Sequence, residues 1–476
     1  MNVAEFCQLV TKYKNILDSK SVEFHARRSW DNVVLEWQKF LEEQPVSHAQ
    51  FSLILWSLQV QNLIAFVNLR GVDSEKIPES LLDLRTQLRR FEYTRKCVRD
   101  PLQLWETWTD AICPTSLQAN FPVITSSTRL LRKKIKAKKQ HEIDRIIELI
   151  SQVQLFANGI VDSLIDIGAG VGHLSRMVSI HNKLAVMAVE GNHQFTISAN
   201  DLDEKLAKAS AVSQTALSFH ERPIRYTDFV TEEMALKVDD FTSNSAILVG
   251  LHCCGDFSST VLKVFLDSQK ARFLVLLGCC YHKEFQCFNF CKPGDIQEAS
   301  TKSKSTVFPL SQKWEGYELS YSSREAACHN NENMDKRFCE NTDISRYARA
   351  RLEKWIWEIS DSPEDRNIGM CSVKCVENET TFDEYIRKAM ANRGSHLLND
   401  VLEVIPKSEL SAYVSSFKCS KFDSYDVLRL MFAPAIESAI LDDRIAFLQE
   451  NGIHAKCVPL FEPTISSRNL AIVAYK

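Results

Sequence analysis

Leu164-Ile165-Asp166-Ile167-Gly168-Ala169-Gly170-Val171-Gly172-His173-Leu174 decides how this chain is read. A short apolar run of β type ends in three alternating glycines, and a helical pattern opens behind them. Glycine lets a backbone turn sharply or come close to a ligand, and the turn carries the N-terminus of the next helix to the same place. Glycine is scarce elsewhere: 14 of 476 residues, against a usual share of about 7%. Eight of the fourteen fall between Gly159 and Gly278, so the tight turns, and the site, are expected in that quarter of the chain.

Outward from this stretch, apolar runs alternate with helical segments. They are Leu184 to Val189, Ala246 to Val249 and Phe273 to Leu277, with Ile224 to Thr227 as a weaker fifth. Continuous apolar runs are strands buried on both faces, which predicts a parallel α/β sheet. A helix is expected from about Arg129 to Phe156. Residues 1 to about 120 read as helices, with Val33, Leu35, Trp37, Phe40 and Leu41 in one apolar-periodic segment and Leu81, Leu82, Leu84, Leu88 and Phe91 in another. Residues 298–307 are polar loop chemistry, residues from about 343 to 450 return to helix, and the last 24 read as two strands. The expected organisation is a helical region over 1–120, a core over 121–297, a loop and helical insertion over 298–452, and strands over 453–476 that complete the core sheet.

The glycine run separates two ligand classes. A dinucleotide fingerprint is Gly-x-Gly-x-x-Gly, and here the third glycine comes one residue early. What stands instead is an acid two residues before the first glycine, Asp166. That arrangement resembles motif I of class I S-adenosylmethionine methyltransferases, where the acid helps hold the cationic amino-acid end of the cofactor. Glu190 ends the second apolar run as Val189-Glu190-Gly191-Asn192, where a carboxylate accepts both hydroxyls of a ribose. The fourth run ends Val249-Gly250-Leu251-His252-Cys253-Cys254-Gly255-Asp256, the place where a doubly wound sheet meets its substrate. His252 and Asp256 are the candidates to orient or deprotonate an acceptor, since methyl transfer from a sulfonium needs in-line positioning and removal of a proton. The plainer reading is that His252 caps the strand and Asp256 the next helix. An Asn-Pro-Pro-Tyr-like tetrad of adenine N6 methyltransferases is absent at this point.

The run Gly250 to Asp256, with Gly278-Cys279-Cys280-Tyr281-His282, Lys138-Lys139-Gln140-His141-Glu142, Ala433-Pro434-Ala435-Ile436-Glu437, Asp443-Arg444, Phe461-Glu462-Pro463 and Ser467-Arg468, resembles the methyltransferase-like protein 25 family. That family includes the branch named for a ribosomal RNA adenine dimethylase domain. The resemblance runs, with gaps, from roughly residue 25 to the C-terminus. It implies a Rossmann-like class I methyltransferase sheet of seven strands, the last one antiparallel, with an N-terminal helical region and a helical insertion before the final two strands. It also implies S-adenosyl-L-methionine as cofactor, with Asp166, Gly168, Gly170, Gly172 and Glu190 in its site and Asp228 as a contact to adenine. The acceptor stays open, RNA and protein being the two classes considered. A catalytically silent scaffold on the same fold is the competing reading.

Composition narrows the partners. The 57 Lys and Arg nearly balance 61 Asp and Glu, for a net charge of −4, which excludes a globally basic nucleic-acid coat. The one basic footprint is Arg129, Arg132, Lys133, Lys134, Lys136, Lys138 and Lys139, read as a solvated face or a helix for RNA phosphates. His141 and Glu142, one turn on, are read as able to reach the cofactor end of the sheet. Trp355 and Trp357 are read as packing rather than base stacking, and Arg324 as a contact to the acceptor. The most apolar stretch, Phe51 to Val67, is broken by Ser57, Gln59, Gln61 and Asn62, so no membrane span is expected. The opening Met1-Asn2-Val3-Ala4-Glu5 lacks the regions of a secretory leader, so cytoplasm, or nucleus, is expected. Fifteen cysteines then read as reduced thiols. Cys279, Cys280, His282, Cys287 and Cys291 crowd together without paired Cys-x-x-Cys hooks, and neighbouring cysteines on a strand face opposite ways, so no metal is expected. Cys371 and Cys375 are a weaker pair still.

Overall fold

Seven strands form one mixed sheet in the order β3-β2-β1-β4-β5-β7-β6. They are β1 (Val161–Ile167), β2 (Ala185–Glu190), β3 (Ile224–Thr227), β4 (Ser245–Cys253), β5 (Ala271–Gly278), β6 (His454–Pro459) and β7 (Leu470–Tyr475). The first five pair in parallel, and β7 runs antiparallel to both β5 and β6. The expected Rossmann-like sheet, with its last strand antiparallel, is what the chain forms.

This computed structural model describes residues 1–42, 63–64, 66–67, 77–97, 132, 135–213, 221–283, 308–329, 331–334, 337–338, 343–366, 372–391 and 394–476. The expectations placed on Phe51 to Asn62, Arg129, Lys133, Lys134, Cys287, Cys291, residues 298–307 and Cys371 lie outside the described residues.

Strands β1, β2, β4, β5 and β7 are largely apolar and buried because both faces of the sheet are covered there, whereas the edge strand β3 is mostly exposed. Successive side chains on β4 alternate: Ile247 and Val249 enter one core with Leu164 of β1 and Val275 of β5, while Ala246 and Leu248 enter the other with Ile165 and Leu274. Five helices connect or flank the parallel strands: α1 (Ala137–Phe156), α2 (His173–His181), α3 (His193–Ser213), α4 (Met234–Phe241) and α5 (Phe257–Asp267). A sixth, α6 (Ala433–Glu450), ends just before Gly452, whose φ of 77° is the left-handed turn expected from Asn451-Gly452. Helix α1 starts at Ala137, eight residues later than the sequence suggests. Ile135 and Lys136 are non-helical, with Lys136 extended at the N-cap, and Arg132 folds back to hold Asp144 with two bonds of 3.0 and 2.5 Å.

The chain divides into two compact units. One comprises Met1, Tyr93–Leu319 and Glu437–Lys476 and contains the sheet. The other comprises Asn2–Glu92 and Ser320–Ile436, so two helical stretches distant in sequence fold together. In that unit helix Leu35–Glu42 buries Trp37 and Leu41, and helix Glu79–Arg89 buries Leu81, Leu84 and Leu88. Helix Ser420–Leu430 is buried on every side. Its Asp423 accepts from Tyr347 Oη at 2.7 Å and from Arg346 at 2.6 Å, and Asp426 accepts from Ser21 Oγ at 2.6 Å. Trp355 and Trp357 bond through their indole N–H to Glu409 and Glu353, and Arg366 stacks over Trp357 at 4.1 Å, so both rings pack within the unit. Arg324 belongs to this unit as well. No described helix is long and apolar enough to cross a membrane.

Candidate functional site

The strand order reverses between β1 and β4, and a doubly wound sheet opens a crevice at the carboxyl ends of the strands on either side of such a point. The glycine loop follows β1, Glu190 ends β2, Asp228 follows β3, and His252 lies at the end of β4. The topology thus gathers the residues that the sequence singles out at one edge of the sheet.

The three loop glycines all have positive φ: 73° at Gly168, 57° at Gly170 and 70° at Gly172. Their reasons differ. A Cβ on Gly168 would press the Phe257 ring at 3.3 Å, and one on Gly172 would run into the Arg225 guanidinium. Both are packing requirements of the protein itself. Gly170 alone would meet nothing within 4 Å, so it is the glycine that leaves room for a ligand. The sequence reading has all three serving a ligand's approach; the structure adds neighbours of the protein's own at Gly168 and Gly172.

Glu190 ties the loop to β2. Its Oε2 accepts the Gly170 amide at 2.8 Å and its Oε1 the Asn192 amide at 2.8 Å, while the amides of Gly168 and Ala169 bond to the Val189 carbonyl. The Asp228 amide bonds to the Glu190 carbonyl at 3.1 Å, which places Asp228 beside it, and the Asp228 carboxylate pairs with Lys237. Asp166 lies beneath the loop, 2% exposed, and accepts from Ser175 Oγ at 2.5 Å. Burial raises the Asp166 carboxyl above its ordinary range, against the Ser175 bond and the charges of Lys139 and Arg225.

An ion cluster braces the loop from the side. Asp203 of α3 accepts from Arg176 Nε at 2.5 Å and from Arg225 at 3.0 and 2.5 Å, all three side chains being buried. Arg176 also bonds to the Val171 carbonyl at 3.2 Å. Burial, then the charges of Arg176 and Lys139, push the neighbouring His173 down to about 4. The unfolded chain, with an ordinary imidazole, binds its proton below about pH 6.5, whereas the folded chain resists it down to about pH 4. Stability is therefore expected to fall as pH drops through that window, with a slope of at most about one proton. Denaturant midpoints measured across it should flatten in His173→Gln.

His252 has the left-handed backbone (φ 69°) uncommon for a side chain of its size. Its Nε2 stands 2.9 Å from Glu142 Oε2 of α1, and Glu142 Oε1 accepts from Ser466 Oγ at 2.8 Å. Burial raises the Glu142 carboxyl, but His252, Ser466 and Lys139 bring it below its ordinary range, so it is ionised. An ionised carboxylate only accepts, so Nε2 carries a hydrogen toward it, and Nδ1 is the ring nitrogen left to face an acceptor. Asp256 is 2% exposed at the N-cap of α5.

Two residues escaped the sequence reading. Lys139 was counted as part of a basic surface, yet it is half-buried and close enough to Asp166 and Glu142 for their charges to act on it, although burial dominates and lowers it. With Arg132 held by Asp144, the described part of the basic run leaves Lys136 and Lys138 as its exposed cations. Phe229 is 63% exposed and lies against Gly191, where a Cβ would stand 3.0 Å from the ring. Its place next to Asp228 was a signal, but only its exposure marks it.

The placement of the paired cysteines on a strand is corrected. β5 ends at Gly278, so Cys279 and Cys280 lie in the following turn and need not face opposite ways. Their Sγ atoms are 3.7 Å apart, and with Cys254 Sγ all three fall within 4.8 Å of one another.

A family model described as methyltransferase domain matches residues 138–285. The chain is similar to proteins described as probable methyltransferase-like protein 25: the Homo sapiens protein at 26% identity over 306 residues, 63% of this chain and 48% of that one, and the Mus musculus protein at 26% over 259 residues, 52% and 40%. The chain thus spans about half the length of the curated relatives it matches. A solved coclaurine N-methyltransferase bound to N-methylheliamine and SAH aligns over 99% of this chain and 100% of its own, at 9% identity and a TM-score of 0.20, too low to bear on the reading.

Proposed function

We propose that this chain, similar to methyltransferases across its parallel strands, transfers a methyl group from S-adenosyl-L-methionine to an acceptor that is RNA or protein. The observation that carries the reading is the Glu190 carboxylate bonded across to the amide of Gly170, the one loop glycine with open space at its Cβ position. The donor set suits the cofactor. Glu190 has lone pairs left for ribose hydroxyls, because each carboxylate oxygen offers two and one bond is used on each. Asp228 and the exposed ring of Phe229 stand beside it for the adenine, by hydrogen bond and by stacking. Lys139 offers a cation to the carboxylate end, Asp166 adds a buried carboxyl under the loop, and the N-terminus of α2 opens at Gly172 without a side-chain cap.

When bound, the cofactor supplies a methyl group on a cationic sulfur. The chain's own residues do the rest. Glycines 168 and 172 hold the loop's shape, Gly170 and Glu190 receive the nucleoside, and His252 Nδ1 takes the acceptor's proton while Glu142 holds the ring. Asp256, buried at the start of α5, acts through position.

Calorimetry with S-adenosylmethionine and S-adenosylhomocysteine tests the pocket. Gly170→Arg is expected to weaken both at least about a hundredfold, or ~2.8 kcal/mol, with an unchanged circular dichroism spectrum. Equal binding by the variant removes the assignment. The acceptor is read by mass spectrometry of RNA and protein from cells lacking the gene, rescued with the native chain or with Asp166→Ala. Cofactor binding with no mark restored favours the scaffold.

A further inference from the structure

We propose that Cys254, Cys279 and Cys280 form a three-thiolate site for Zn2+ at the carboxyl ends of β4 and β5. The inference stands apart from methyl transfer and rests on how the two strands end. Cys253 pairs in register with Gly278, so the next residue on each chain, Cys254 and Cys279, leave the sheet side by side. Their thiols share one acceptor, the His252 carbonyl, at 3.5 and 3.4 Å. The turn returns Cys280 to the pair: the Lys283 amide bonds to the Cys280 carbonyl at 3.0 Å, and the Lys283 carbonyl accepts the Asp256 amide at 3.2 Å. Gly255 has φ 55° and no room for a Cβ against that same carbonyl. The two loops are therefore stitched together around the thiols.

The sulfur spacing suits a cation. With Zn–S near 2.3 Å, sulfurs around a tetrahedral zinc stand about 3.8 Å apart, and Cys279 and Cys280 already stand at 3.7 Å. A sulfur-only trio favours a thiophilic ion. Ligation would proceed as Zn2+ plus three thiols giving a tris-thiolate of net charge −1 and three protons released to water, with a fourth position open.

A buried counter-charge waits for that anion. Arg444 is fully buried, and its Nε and Nη1 have no hydrogen-bond partner among the described residues. Its guanidinium touches the neighbours of all three cysteines. Nη2 bonds to the Gly255 carbonyl at 3.4 Å, Nη1 would lie 2.9 Å from a Cβ on Gly278, and the group sits 5.2 Å from the Tyr281 ring centroid. A buried guanidinium with no ion pair among the described residues is costly, and an anionic zinc–thiolate centre beside it offsets that cost.

The test uses the full chain, purified untagged under reducing conditions without chelator. Elemental analysis is expected to find about one zinc per chain, and Co2+ exchanged for it should give thiolate-to-cobalt charge-transfer absorption. Cys279→Ser and Cys280→Ser should lose both signals, while Cys97→Ser keeps them. Should the serine variants misfold, alkylation of the native chain with and without Zn2+, mapped by mass spectrometry, keeps the question open to refutation. Protection confined to the Cys254, Cys279 and Cys280 peptides supports the site. Uniform labelling, substoichiometric zinc, or uptake unchanged in the serine variants overturns it.

Discussion

Asp203→Ala is expected to destabilise the sheet-bearing unit by about 3–5 kcal/mol, because it strands two guanidinium groups in a buried place. Arg176 and Arg225 are each 5% exposed as side chains and share this one carboxylate, itself 6% exposed. The measurement is denaturant unfolding of the native chain and the variant, followed by a probe of the sheet. The loop should suffer along with stability. Arg176 holds the Val171 carbonyl, and Arg225 occupies the space that a side chain at position 172 would need. S-adenosylmethionine affinity is therefore expected to fall in Asp203→Ala at temperatures where the variant is still folded. A variant as stable as the native chain would mean that the two arginines find other partners, and the brace would lose its role. Asp203→Asn separates the terms, since it keeps the shape and removes the charge.

His252→Asn is expected to lower turnover by about 10²–10⁴-fold, the usual range for losing a positioned proton acceptor. Asparagine is the informative replacement because it tolerates the left-handed backbone that position 252 requires. Glu142 acts through His252, so Glu142→Gln should cost less, about ten- to a hundredfold. In both variants kcat should fall while the KM for S-adenosylmethionine holds, since neither residue is assigned to the cofactor. A merely structural pair would instead lower melting temperature and move both constants together. Unchanged turnover in His252→Asn would leave the acceptor's proton to another group.

Much of this was legible in the sequence. Unbroken apolar runs at Leu164–Ile167, Ala246–Val249 and Phe273–Leu277 could only be strands covered on both sides, and the glycine run marked the turn after the first of them. Asp166 and Glu190 were legible because their distance from the glycines is set along the chain. Glu142 was read only as able to reach that end of the sheet. Its partner could not be named, because Glu142 and His252 lie 110 residues apart along the chain and meet only when α1 packs against the sheet. Lys139 was misread for a related reason: a lysine in a basic run looks solvated until the helix is seen to begin at Ala137 and half-bury it within reach of the charges of Glu142 and Asp166. The glycines were legible only in part. Composition says that side chains are missing, not what fills their place, and at Gly168 and Gly172 the answer is Phe257 and Arg225.

The sequence alone determined the strands, the sharp turn after β1 and the acids that flank it, because each depends on residues adjacent or evenly spaced along one chain. The tertiary structure decided which glycine faces open space, that Asp203 serves two arginines, that His252 leans on Glu142, and that three thiols meet around one carbonyl. The last of these arises from register between parallel strands: pairing Cys253 with Gly278 sets Cys254 beside Cys279 although 25 residues separate them. Such a register follows from how whole faces of the sheet bury their side chains, which no local stretch records.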